Sequence, residues 1–152
     1  MPQNLEKSKI GAVQAIKSGE ATCVVVRNGQ NIYVASGHGV SPLLKLYQTE
    51  PDKFQDSFVA DKIIGKAAAA IIIMGGASEV YGDVMSIAAH EYLALHNVHA
   101  TYGEIAEVIH NKNENGICPI ERSVLDVKEP YKCLTQIIDT VKCLKACLSS
   151  IQ

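Results

Sequence analysis

Apolar residues recur at Leu5, Ile10, Val13 and Ile16, and Gly19 stands where a helix would stop. That spacing predicts an amphipathic helix over about residues 4–18. In "TCVVVRNGQNIYVAS" two runs rich in Val, Ile and Tyr flank Asn28-Gly29, the dipeptide most favoured in tight hairpin turns. "GHGVSPLLKLYQTEP" then gives a glycine-rich loop, Ser41 as an N-cap, Pro42 at the first helical position and a short helix ending before Pro51. From Val59 to Met74 the helical period puts Ile63, Ile64, Ala67, Ala70 and Ile71 on one side, with Asp61, Lys62, Gly65, Lys66 and Ala69 on the other. Gly75-Gly76 would end this helix.

"SEVYGDVMS" alternates as a strand, "IAAHEYLALHN" reads as a helix, "VHATY" as a strand and "GEIAEVIHNKN" as a helix. "ENGICPIERSVLDV" reads as a loop entering a helix at Pro119. Leu134, Ile137, Ile138, Val141, Leu144 and Leu148 form the stripe of an amphipathic C-terminal helix over about residues 130–149. A hairpin followed by alternating helices and strands predicts one domain over residues 1–152, a three-layer α/β/α fold with a mixed sheet.

Composition narrows the function classes. The chain has 152 residues, 14 Lys and Arg against 16 Asp and Glu, two Phe and no Trp, so neither the basic surface nor the stacking platforms of a nucleic-acid binder stand out. No nucleic acid polymer is expected as a partner. The apolar run Ala67 to Met74 is too short to span a bilayer, and the polar N-terminus lacks the pattern of a signal peptide, so no membrane partner and a cytoplasmic location are expected. Five cysteines without C-x-x-C spacing fit reduced thiols.

Asp61, Lys62 and Lys66 admit two readings. Asp61 in a first helical turn would favour the helix dipole, with the lysines an ordinary solvated face. Gly65 argues for more, since glycine inside a helix costs roughly 1 kcal/mol relative to alanine and its missing side chain lets a ligand or another backbone come close. Gly37, His38 and Gly39 form a loop before a helix N-terminus, either a turn with both glycines at positive φ or a weak anion cradle. Cys118, just before Pro119 at a helix N-terminus, is a candidate nucleophile with Glu121 behind it as acid or base. Alternatively Cys118 is a small buried cap and Glu121 a dipole partner. Cys143 and Cys147 share a helical face, and His90, His96, His99 and His110 are scattered; none has zinc spacing, so no metal and no cofactor are expected. No G-x-S-x-G elbow is present.

Taken in order, "GHGVSPLL", "VADKIIGKAAA", "EVYGDVMS" and "GICPIERSVLD" resemble a prokaryotic family of unknown function within the cytidine-deaminase-like superfamily. The resemblance covers roughly Thr22 to Val127 and implies a deaminase-like sheet with a hairpin, the Val59 to Met74 helix behind it and a pocket at the strand ends. Zinc deaminases open that helix with His-Ala-Glu or Cys-Ala-Glu and place Pro-Cys-x-x-Cys after the next strand. Laid on those motifs, the chain has Val59 at the ligand position, Asp61 at the glutamate position and Ser86 to Ala89 in place of the cysteines. The resemblance therefore implies the fold without zinc-dependent deamination.

Two expectations follow. One is a metal-independent, ligand-processing protein whose pocket uses Asp61, Cys118 and Glu121 for catalysis and Gly37, His38, Gly39, Lys62, Lys66 and Ser86 for a small anionic or nucleotide-like ligand. The other is a non-catalytic ligand-binding or regulatory domain, or a homo-oligomer joined through its C-terminal helix.

Overall fold

A computed structural model describes residues 2–110 and 116–151, with side chains described from 6 to 146 within them. Helix α1 (Pro2–Ser18) leads into β1 (Cys23–Arg27) and β2 (Gln30–Ala35). Asn28 and Gly29 both take positive φ, 53° and 77°, the backbone that a two-residue hairpin matched to strand twist requires. Helix α2 (Ser41–Thr49) and a 3-10 turn (Pro51–Phe54) precede β3 (Phe58–Ile64), α3 (Lys66–Gly75), β4 (Glu79–Ser86), α4 (Ile87–Leu95), β5 (His99–Ala106), α5 (Pro119–Val124) and α6 (Pro130–Ile151).

The sheet order is β2-β1-β3-β4-β5. β1 runs antiparallel to both β2 and β3, while β3, β4 and β5 are parallel. Residues alternate across β1, and each face meets its own layer. Val24 and Val26 join Phe58, Ala60 and Tyr81 under Ala12 and Ile16 of α1. Cys23 and Val25 face the other way with Val59, Val80 and Met85, into the larger core built by α2, α3, α4 and α6. The expected α/β/α fold with a mixed sheet and an opening hairpin is the observed one.

Three local expectations are overturned. Phe58–Ile64 is a strand, not the first half of a helix, because Val59, Ala60 and Ile64 are fully buried and pairing with β1 on one side and β4 on the other outweighs helical periodicity. The glycine that looked misplaced inside a helix is the extended N-cap of α3, with φ −98° and ψ −177°. "GEIAEVIHNKN" does not open a helix either, since β5 continues beside β4 until Ser86 pairs with Ala106; its residues 111–115 lie outside the described ones. Smaller differences are that Val40, not Ser41, occupies the N-cap of α2, and that Gly39 (φ 58°) but not Gly37 has positive φ. Gly37 answers to space instead: a Cβ there would lie 3.1 Å from the Pro42 ring.

Candidate functional site

The site is built around the start of α3. A helix begins with four N–H groups that no turn of its own can satisfy. Gly65 supplies no side chain to meet them. Glu121 does so from α5: the Lys66 N–H donates to Oε2 at 2.6 Å and the Ala67 N–H to Oε1 at 2.9 Å. A Cβ on Gly65 would come 2.6 Å from the Glu121 carboxyl atoms, so the close approach requires glycine. Burial pushes the Glu121 carboxyl above its usual range, partly offset by the Ala67 and Lys66 N–H groups and by the Lys66 charge.

Lys66 is 8% exposed. Its Nζ donates to the Leu125 carbonyl at 2.9 Å and lies 5.0 Å over the Tyr92 ring. Ser86, also buried, caps α4 by accepting the Ala89 N–H at 3.0 Å. The Asp-Lys-Gly-Lys side is therefore no solvated face. Only Lys62 is exposed, while Asp61, Gly65 and Lys66 are enclosed.

Two adjoining cavities share Gly39 and Ile63. One, of about 60 Å³, is largely apolar and is lined by Gly65, Ala67, Cys118 and Glu121 among others. Cys118 is the half-buried N-cap of α5 and makes no side-chain cap bond. The second, of about 170 Å³, is lined by Thr22, Gly37, His38, Gly39, Asp61 and Lys62. Thr22 braces its rim, accepting the Gly37 N–H on Oγ1 at 3.0 Å.

Asp61 is 4% exposed. Its Oδ1 accepts the Ile63 N–H at 3.2 Å, and its Oδ2 is buried with no hydrogen-bond partner. The Cys23 thiol, from the residue paired with Asp61 across β1 and β3, favours the charged carboxylate without meeting the geometry of a hydrogen bond to Oδ2. Burial wins over these favourable neighbours and lifts the Asp61 pKa to about 7. The same burial, with Asp61 beside it, raises the Cys23 thiol well above its usual value.

Of the residues expected to form a site, Gly37, His38, Gly39, Asp61 and Lys62 come together in the larger cavity, and Cys118 and Glu121 in the smaller one. Lys66 and Ser86 line neither: Ser86 caps α4, and the Lys66 side chain lines a separate groove with Tyr92 and Leu125. Thr22 and Cys23 were not among the expected site residues; their place follows from the Cys23–Asp61 register, which depends on strand pairing. Among the described residues no three His, Cys, Asp or Glu side chains gather to hold a metal ion. His90 packs edge-on to Tyr102 and His96 to Tyr92, Cys143 is exposed, and the Cys147 side chain lies outside the described residues.

A model of a domain of unknown function, DUF1893, matches residues 11–141. The chain belongs to this family. A DUF1893 protein from Thermotoga maritima, 21% identical, has a crystal structure that superposes with a TM-score of 0.79, over 90% of this chain and 89% of that one. That likeness establishes the shared DUF1893 fold. A diaminohydroxyphosphoribosylaminopyrimidine deaminase/5-amino-6-(5-phosphoribosylamino)uracil reductase from the same organism, 14% identical, aligns with a TM-score of 0.48 over 66% of this chain and 36% of its own. No curated protein sequence matches the chain.

The structure also corrects the position at which a deaminase zinc set would be sought. Val59 and Asp61 lie in β3, so neither opens the helix; Gly65, Lys66 and Ala67 do. Ser86 to Ala89 open α4 as expected. Neither helix start carries a His or Cys before the side chain of His90, and the carboxylate at α3 is Glu121 with both oxygens engaged by N–H groups. These residues do not fit a zinc ion.

Proposed function

We propose that this DUF1893 chain is a deaminase-like small-molecule-binding domain whose site is the cavity between the Gly37–Gly39 loop and Asp61-Lys62. The observation that carries this reading is the buried, unpartnered Oδ2 of Asp61 in a residue that lines an open cavity. A native buried polar atom is nearly always satisfied, and leaving one without a partner costs roughly 1–3 kcal/mol, more when it is charged. A bound ligand would supply the missing partner.

Asp61, with its pKa lifted to about 7, can also hold or release a proton near neutral pH without a metal. Cys118 stands in the adjoining cavity, and Glu121 is a positioning residue because its oxygens already serve α3. Lys62 and His38, exposed at the mouth, are the groups left to meet an anionic or nucleotide-like remainder of the ligand. A non-catalytic regulatory binder would use the same cavity.

A thermal-shift screen of nucleotides, nucleobases, sugar phosphates, amines and divalent metals tests the reading, because a ligand of the folded state alone raises apparent stability. A stabilising compound should move the amide resonances of Gly37, Gly39 and Ile63. Compounds that stabilise while moving only resonances around Tyr92 and Lys128, which line a different groove, would sink it.

A further inference from the structure

We propose that the buried end of this cavity is built for a small cationic N–H donor, an ammonium, amidinium or guanidinium group, held against Asp61 Oδ2. The inference deepens the cavity reading and rests on it.

Several features that could attract an anion near the buried end are already engaged by the protein itself, which leaves Lys62 and His38 at the mouth. The first N–H groups of α3 are held by Glu121, the Ala89 N–H of α4 by Ser86, and the Gly37 N–H by Thr22. Lys66 is committed to the Leu125 carbonyl and the Tyr92 face. Asp61, which lines the cavity, keeps instead a buried oxygen with no hydrogen-bond partner. The ion pairs found among the described residues are Lys9–Glu79, Lys53–Glu50 and Lys132–Glu129, so no protein cation pairs with Asp61 there.

Burying an unpaired carboxylate is costly, and the cost is recovered when a cation with N–H donors is brought into contact. The volume agrees, since about 170 Å³ falls below the roughly 300–1,000 Å³ of sites that take drug-sized ligands. It suits one compact group, with the remainder of the ligand outside at Lys62 and His38.

The groups facing Asp61 also give the inference a pH signature. Cys23 meets it from β1, His38 from the loop before α2 and Lys62 from its own strand line the same cavity, and the strand partner on β4 is Gly82, which does not titrate. A cation selects the carboxylate form, so binding tightens as pH rises through the carboxyl's titration. An anion held at Lys62 or His38 would show the opposite trend or none.

The test titrates isotope-labelled full-length protein with acetamidinium and methylammonium, with tetramethylammonium as a cation lacking N–H and inorganic phosphate as an anion, each up to its solubility limit. Acetamidinium should shift the Gly37, Gly39 and Ile63 amides saturably, roughly tenfold more tightly at pH 8 than at pH 6, with tetramethylammonium inert. Asp61→Asn should weaken it at least tenfold; should that variant not fold, the wild-type pH trend decides. If phosphate moves the three amides and acetamidinium does not, or acetamidinium binds Asp61→Asn equally well, the cation assignment is overturned while the cavity reading stands. If neither these probes nor the wider screen moves those amides, both fall.

Discussion

Asp61 holds one carboxyl oxygen on the Ile63 N–H and leaves the other without a donor, and that imbalance sets how the protein responds to pH. Its folded pKa, about 7, lies above the ordinary 3.8, so folding takes up a proton. The stability Asp61 contributes is complete below about pH 4 and is lost as pH climbs through about 7, a penalty at alkaline pH of roughly 4 kcal/mol. Asp61→Asn removes the titration. At pH 8 the variant should be more stable than the wild type by up to roughly 4 kcal/mol in chemical denaturation, with the difference nearly vanishing near pH 4. A wild type whose excess stability instead grows from pH 5 to pH 8 would contradict the buried-carboxyl account. Sequence singled out Asp61 as a pocket residue, but through a helix it does not occupy. Its neighbour Cys23 was out of reach, because one chain read linearly does not reveal which residue a strand partner brings alongside.

At the scale of elements, β3 and α3 meet at a joint made by Gly65 and closed by Glu121. Glu121→Ala should cost about 2–3 kcal/mol, since two N–H groups lose a buried charged acceptor. Gly65→Ala drives a methyl group into that carboxylate and should cost a similar amount. Because both act on one contact, the double variant should be far less destabilised than the sum of the two, as read from urea midpoints in a double-mutant cycle. Additive losses would mean that the glycine serves something other than Glu121. The joint was half legible: glycine after Ile-Ile and before four alanines is the signature of a strand handing over to a helix, yet the apolar residues on either side of it also fit one continuous helical period. β5 was missed beyond Tyr102 for a related reason, its edge position leaving most of its residues exposed and its alternation weak.

For the whole molecule, the first half of the C-terminal stripe serves the interior, while Leu144 is 38% exposed and the Leu148 side chain lies outside the described residues. Cys133 and Ile137 are fully buried in the main core, with Leu134, Ile138 and Val141 packed against it. Ile137→Ala should destabilise by about 2–5 kcal/mol with no change in sedimentation coefficient. A dissociating oligomer with little loss of stability would assign that face to self-association. The layered fold was readable because the hairpin dipeptide, the glycine stops and the apolar stripes each acted locally, whereas the closing contacts join distant segments. The Lys66 N–H and its acceptor on Glu121 are 55 residues apart. During synthesis at about 5–20 residues per second, the central helix therefore waits roughly 3–11 seconds for the group that completes its first turn. Nascent chains arrested so that residue 118 has just left the ribosome should be cut readily by protease near Gly65, and chains extended past residue 150 should resist.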